Sequence, residues 1–255
     1  MGTQFSSRLT RPDTAQVVSR LLLLQQKEAK AGHGGVESLP RGERLKLADA
    51  MIREILTVAE ERHFFREFAA SEVFREVLDW LKSMHTDAVF NGCRQTMVRY
   101  DLESHTRPIP VLARALREIT GAAAYLRDPF RVSTSAAAQG LLAAVAARPL
   151  ADASELPESR RFCKRLASYS LEDLVGLFVR LLVNDVLERI MHRADPRHEE
   201  PAVEDARRLK NDSAERIGRT VVSRVKKAGA LADSARVREI VQDVLEELLG
   251  TAAQP

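Results

Sequence analysis

The chain has 255 residues, a formal net charge of +3, 45% hydrophobic residues and 29% charged residues. That balance is typical of a folded protein and excludes a disordered chain. The small net charge excludes a polycation, so affinity for nucleic acid or for a membrane surface would have to come from a local patch. The longest run of large apolar side chains, at 21–24, is too short to cross a bilayer. Because Cys93 and Cys163 are too few for a disulfide framework and favour a reducing compartment, we expect a soluble cytoplasmic protein.

The first residues, MGTQFSSRLTR, fit the M-G-x-x-x-[ST] pattern for N-myristoylation at Gly2. One acyl chain binds a membrane only marginally and needs a second signal. The nearby arginines are interrupted by Asp13, and no neighbouring cysteine is available for a second acyl chain, so this signal is absent. A start rich in Ser, Thr and Arg also resembles a mitochondrial presequence. We expect neither to operate, and we predict a flexible N-terminus at 1–12.

Apolar residues recur at helical spacing along the chain, and no segment of useful length alternates at period two, so the sequence predicts an all-α fold. In the first half, Ser71 is expected to cap one helix and Asn91-Gly92 to end it, while Asp128-Pro129 is expected to end another. The predicted helices of this half are 13–30, about 40–59, 71–91, 110–126 and 135–147.

The stretch PLADASELPES at 149–159 is the predicted linker between two helical parts, 13–148 and 160–250, with a tail at 251–255. Ser170 and Asp173 form an S-x-x-D capping box. The predicted helices of the second half are a short one around 160–169, then 171–192, 202–228 and 234–249. We therefore predict an irregular multi-helix bundle of roughly eight to ten helices, in one or two helical subdomains.

A motif of an apolar residue, Arg-Glu and another apolar residue recurs along the chain, as IREI, FREF, FREV, LREI and VREI. A repeat array keeps a fixed period, whereas these copies are irregularly spaced. The motif is explained if its two apolar residues, at i and i+3, face the core of a helical protein while the charged pair faces water. The irregular spacing of the copies therefore favours a bundle over a solenoid.

Site chemistry is sparse. GHGG lacks the Lys-Ser/Thr that completes a phosphate-binding loop, and no G-x-S-x-G nucleophile motif occurs. Glu60 and His63 form one Glu-x-x-His motif, but a di-iron bundle needs two. Cys163 lies between Arg161 and Lys164, whose charges would favour a reactive thiolate if the thiol were exposed. We expect instead that Cys163 is buried or has no catalytic role. The sequence predicts no cofactor and no metal, and it favours a protein without enzymatic activity. A helical metalloprotein or enzyme around Glu60 and His63 remains the weakest alternative.

The segment 207–227 carries eight basic side chains against two acidic ones. A helix with such a face can contact phosphates, so nucleic-acid binding is the second hypothesis. The eight residues are Arg207, Arg208, Lys210, Arg216, Arg219, Arg224, Lys226 and Lys227.

The run TVVSRVKKAG, followed by VREIVQDVLEELLG, resembles part of the helix-turn-helix headpiece of the lactose-repressor family. That resemblance implies a recognition helix at about 220–225. The chain departs from the family by an extra valine at 221–222, by a missing A-G-V-S turn and by the C-terminal position of the segment. Without that turn the two helices cannot be set for the major groove, so we attribute the likeness to helical patterning.

The leading hypothesis is a non-enzymatic helical interaction protein: an adaptor, a scaffold or a subunit of a larger assembly. It would bind a protein partner through the apolar face of its last helix, since amphipathic helices dock through anchors spaced i, i+3, i+4 and i+7. Self-association and nucleic-acid binding stay open. The predicted anchors are Val237, Val241, Val244 and Leu248, for which packing inside the chain's own core is the competing interpretation.

Overall fold

The computed structural model describes residues 36, 39–58, 64–105, 107–122, 128–150, 156–194, 201–229 and 233–249. Gly2, Glu60 and His63 lie outside these ranges, as do the predicted helix at 13–30 and the predicted terminal segments 1–12 and 251–255.

Within the described ranges the chain forms ten α-helices and no strand. The predicted all-α multi-helix bundle is therefore confirmed. The helices are α1 (Arg41–Val58), α2 (Phe64–Ala70), α3 (Glu72–Asn91), α4 (Arg94–Arg99), α5 (Pro108–Ile119), α6 (Pro129–Ala147), α7 (Glu158–Ala167), α8 (Leu171–Ala194), α9 (Pro201–Ala228) and α10 (Ser234–Leu249).

Side-chain caps set several helix ends where the sequence placed them. Ser71 Oγ accepts a hydrogen bond from Phe74 N at 3.3 Å at the start of α3, and Ser170 Oγ accepts one from Asp173 N at 3.1 Å at the start of α8. The predicted start of the alanine-rich helix at 135 is wrong: α6 begins at Pro129. The reason is that Asp128 caps the new helix, its Oδ1 accepting a hydrogen bond from Phe130 N at 2.9 Å.

One cluster of buried apolar side chains runs through the bundle and includes residues from both sides of the segment 149–159. Its centre contains Phe68, Phe74 and Phe178, with ring centroids 5.2 Å apart for the first pair and 5.8 Å for the second. Helices α8 and α9 pack along each other, α6 covers α8, α1 covers α9, and α10 lies on α2. The division of the chain at 149–159 stays a prediction, and residues 151–155 of that segment lie outside the described part.

Two glycines allow α8 and α9 to approach closely. A Cβ atom built on Gly176 would lie 2.8 Å from the carbonyl oxygen of Gly218, and one built on Gly218 would lie 2.7 Å from the carbonyl oxygen of Gly176. Such distances are below van der Waals contact with backbone atoms that cannot rotate away. The close packing of α8 on α9 thus requires that residues 176 and 218 have no side chain.

Ion pairs join α1 to α9 across a large sequence separation. Arg44 Nε donates to Asp212 Oδ2 at 2.7 Å, and Arg216 Nη1 donates to Asp49 Oδ2 at 2.8 Å. Both pairs are partly buried, so they fix the register of α1 on α9 more strongly than fully solvated pairs would.

Candidate partner-binding site

The end of α3 is shaped by a turn that the sequence marks with Asn91-Gly92. Gly92 takes φ 57°, the left-handed conformation that favours glycine, and its N–H donates to Asp87 O. Cys93 follows with φ 64°, a conformation that costs a residue with a Cβ roughly 1 kcal/mol. This double left-handed step turns the chain directly into the short helix α4, which the sequence did not predict separately.

The carboxylate of Asp87 holds α4 against α3. It accepts hydrogen bonds from Gln95 N at 3.3 Å and from Thr96 N at 2.6 Å, so it caps the orphan N–H groups at the start of α4. Asp87 is only 4% exposed. Burial raises the pKa of its carboxyl, but the hydrogen bonds from Thr96 and Gln95 outweigh burial and hold that pKa below its ordinary value of 3.8.

This capping predicts a pH-dependent loss of stability. Because the pKa of Asp87 is lower in the folded than in the unfolded chain, its contribution is complete above the unfolded pKa of about 4 and disappears as the pH falls through the folded pKa. We expect Asp87→Asn to lower the free energy of unfolding by about 1–3 kcal/mol at neutral pH, the usual range for a hydrogen bond to a charged group. Urea unfolding between neutral pH and acid should show the wild-type and variant stabilities converging, and parallel curves would refute the role of Asp87.

Cys93 and Cys163 form a disulfide that joins the α3–α4 turn to α7, with Cα atoms 5.9 Å apart. Both residues are buried. The sequence analysis did not predict this bond, although Cys163 is buried as expected. A sequence separation of 70 residues carries no pairing signal, and only the packing of α7 on α3 brings the two thiols together.

A cavity of about 550 Å³ opens beside this disulfide, between the α3–α4 turn and α7. Met97, Val98 and Leu156 belong to its apolar lining, and Cys163 lies in its wall. The charged lining residues are Arg94, Glu103, Arg160 and Lys164. The volume lies within the range of roughly 300–1,000 Å³ that is typical of binding pockets.

The exposed large apolar side chains of the described residues are all at this end of the bundle. Phe90 and Val98 are each 79% exposed and Val89 is 46% exposed. Val89 and Phe90 lie on the last turn of α3, whose Ala88 and cap residue Gly92 line the cavity, and Val98 lies in its wall. The helical period would have placed Phe90 off the buried stripe of α3, whereas Val98 could not be assessed without knowing that α4 exists.

The four anchors predicted on the last helix are brought to one face of α10, but this face points inward. Val237, Val241 and Val244 are buried in the chain's own core, and Leu248 is partly buried against it. Arg238 reinforces this docking, because its Nη2 donates to Ala70 O at 2.7 Å at the end of α2. A partner could contact the three valines only by displacing α10.

The basic residues of α9 lie along one continuous helix, and acidic side chains pair with most of them. Lys210 is buried and pairs with Glu188, and Arg216 pairs with Asp49. These partners reduce the positive charge that α9 offers to a phosphate chain, while Lys227 remains exposed. The remaining pairs are Arg208 with Glu204, Arg219 with Glu215, Arg224 with Glu247 and Lys226 with Asp173, and Arg207 also has an interaction partner.

The segment 220–225 that resembles a recognition helix lies inside α9, with Val221 and Val225 buried. A recognition helix must expose the face that enters the major groove and must follow a turn. The second condition is not met in α9, which runs unbroken from 201 to 228.

The described ranges contain neither a candidate metal site nor a candidate membrane span. They hold no group of three or more His, Cys, Asp or Glu placed to bind a metal ion, and none of their helices is both long and apolar enough to span a bilayer. Glu60 and His63 are not among these residues, so the expectation for that pair stays a prediction.

Comparison of the chain with protein-family models, with curated proteins and with solved structures finds no match. The proposals below therefore rest on the geometry of this molecule.

Proposed function

We propose that the chain is a non-enzymatic helical interaction protein, an adaptor, scaffold or subunit of a larger assembly, whose binding face lies where α3, α4 and α7 meet. The observation that carries the proposal is the exposure of Val98 in the cavity wall and of Val89 and Phe90 on the last turn of α3, next to the turn that lines the cavity. Exposed apolar residues that lie together are typical of interaction sites, and aromatic side chains contribute strongly to binding. We therefore place the proposed binding face at the end of α3 and on α4, and not on α10, whose valines stabilise the core.

Native co-purification followed by mass spectrometry tests this function. We expect a stoichiometric protein partner that survives nuclease treatment and is lost with Phe90→Asp or Val98→Asp, since each places a charge where an apolar contact is required. The matched control is Ala143→Asp, which introduces the same charge at an exposed position of α6 and should retain the partner. A second copy of the chain, detected by light scattering and lost in the same variants, would identify the partner as the protein itself.

Nucleic-acid binding through α9 is the second proposal, supported by the exposed Arg219, Lys226 and Lys227. It predicts association that nuclease abolishes, that falls steeply with salt and that weakens in Arg219→Glu and Lys227→Glu. That result would overturn the interaction proposal. Stoichiometric metal lost on His63→Ala would instead support the metalloprotein alternative.

We propose a cytoplasmic location on the low cysteine number, and the Cys93–Cys163 pair provides its test. Disulfides persist in oxidising compartments and are rare in the cytosol. The closed Cys93–Cys163 bond of this structure argues against that location, so the proposal requires that the bond is reduced in the cell and forms only on later oxidation. Trapping of free thiols in the native source should then find both cysteines reduced, and a closed disulfide in most molecules would place the protein in an oxidising compartment instead.

A further inference from the structure

The cavity beside the disulfide has a positive rim around an apolar interior. Three cationic side chains, Arg94, Arg160 and Lys164, line it against a single carboxylate, Glu103. Arg160 Nη2 lies 3.7 Å from Glu103 Oε1, and both side chains are well exposed. Arg94 and Lys164 are exposed and form no ion pair with any residue of the described ranges. Two uncompensated cations therefore face whatever enters the cavity.

The apolar part extends beyond the cavity itself. Val98 belongs to the cavity lining and is still 79% exposed, so a ligand enclosed by the cavity would leave most of this side chain in water. A protein segment that runs across the cavity mouth would cover Val98 as well as fill the space next to Leu156. Burial of that apolar area favours such an occupant over a small anion.

We propose that this cavity binds an acidic segment of a partner protein, whose apolar side chain contacts Val98 and Leu156 and whose flanking Asp or Glu side chains pair with Arg94 and Lys164. The proposal rests on the proposed interaction function and specifies the chemistry of the partner. Charge complementarity at such a rim accelerates association and rejects partners of like charge.

Three fluorescein-labelled synthetic peptides of equal length test the proposal by fluorescence anisotropy with the full chain. One peptide carries Leu and Phe among Glu residues, the second replaces Glu with Lys, and the third keeps Glu but replaces Leu and Phe with Ser. We expect the first to bind about tenfold more tightly than either of the others, because both the apolar contact and the charge contact are needed. Its affinity should fall as salt is raised.

Charge reversal locates the site. Arg94→Glu combined with Lys164→Glu should weaken binding of the acidic apolar peptide about tenfold, and Val98→Asp should weaken it by at least as much. Arg114→Glu is the matched control, since it reverses an exposed charge on α5, outside the cavity lining, and should leave the affinity unchanged. Because Arg94, Lys164 and Val98 are exposed, these variants are expected to keep the wild-type circular dichroism spectrum.

The proposal is overturned if the Lys or Ser peptide binds as tightly as the acidic apolar one, or if Arg114→Glu weakens binding as much as the cavity variants. Displacement of the peptide by inorganic phosphate at equal ionic strength would also overturn it and would indicate a small-anion site. If Arg94→Glu combined with Lys164→Glu keeps a stoichiometric native partner that Phe90→Asp or Val98→Asp loses, the interaction function stands and the acidic-segment proposal is wrong. If neither a native partner nor peptide binding is found, both proposals fail.

Discussion

Reduction of the Cys93–Cys163 disulfide is expected to lower the free energy of unfolding by about 4 kcal/mol, because the bond closes a loop of 70 residues in the unfolded chain. A loop of this length restricts the unfolded ensemble strongly, while α3 and α7 also pack against each other in the folded state. Urea unfolding followed by circular dichroism, with and without a phosphine reductant, measures the difference. A decrease of this size is a large fraction of the total stability of a typical domain.

A double variant provides the control for the disulfide. Cys93→Ala with Cys163→Ala should match the reduced wild type to within the cost of two small cavities and should not respond to the reductant. Intact mass should show the wild type lighter by two hydrogen atoms before reduction. Equal unfolding midpoints for oxidised and reduced protein would show that the disulfide contributes nothing to stability.

Alanine at position 176 or 218 is expected to destabilise the bundle by about 2 kcal/mol, the cost of overpacking less the gain in helix propensity. The added methyl group of either variant would meet a backbone carbonyl of the facing helix, so α8 and α9 must move apart. At position 218 it would also lie 2.9 Å from Arg180 Cβ. Because one displacement of the helices relieves both clashes, the double variant should cost less than the sum of the two single variants.

Two other helical glycines serve as matched controls in the same unfolding experiment. A Cβ atom on Gly42 would meet nothing within 4 Å, and one on Gly140 would lie at ordinary contact distance, 3.5 Å, from Leu181 Cδ1. Gly42→Ala and Gly140→Ala should therefore be neutral or stabilising by up to about 1 kcal/mol. If all four variants behave alike, the close approach of α8 and α9 does not limit stability.

The candidate site could be predicted only in part. The turn at Asn91-Gly92 and the buried stripe of α3 follow from local residue types, and an off-stripe position for Phe90 follows from the same period. The cavity requires Val98 on α4 and Leu156 with Lys164 around α7 to meet. That meeting depends on non-local packing and on the capping of α4 by Asp87, neither of which the sequence states.

The apolar stripe of α10 shows why an amphipathic face does not identify an interface. Val237, Val241 and Val244 occupy the spacing that a docking helix would use, and the same spacing serves a core helix. Only the positions of α2 and α9 next to α10 show that the chain itself covers them.

Local interactions along the chain determined the all-α class, the caps at Ser71 and Ser170 and the extent of most helices, because helical periodicity and capping act over a few residues. The tertiary structure decided the rest: the disulfide between Cys93 and Cys163, the glycine contact between α8 and α9, the pairing of basic side chains on α9, and which apolar residues stay exposed. Each of these depends on residues distant in sequence becoming neighbours, and burial is a property of that arrangement rather than of any segment.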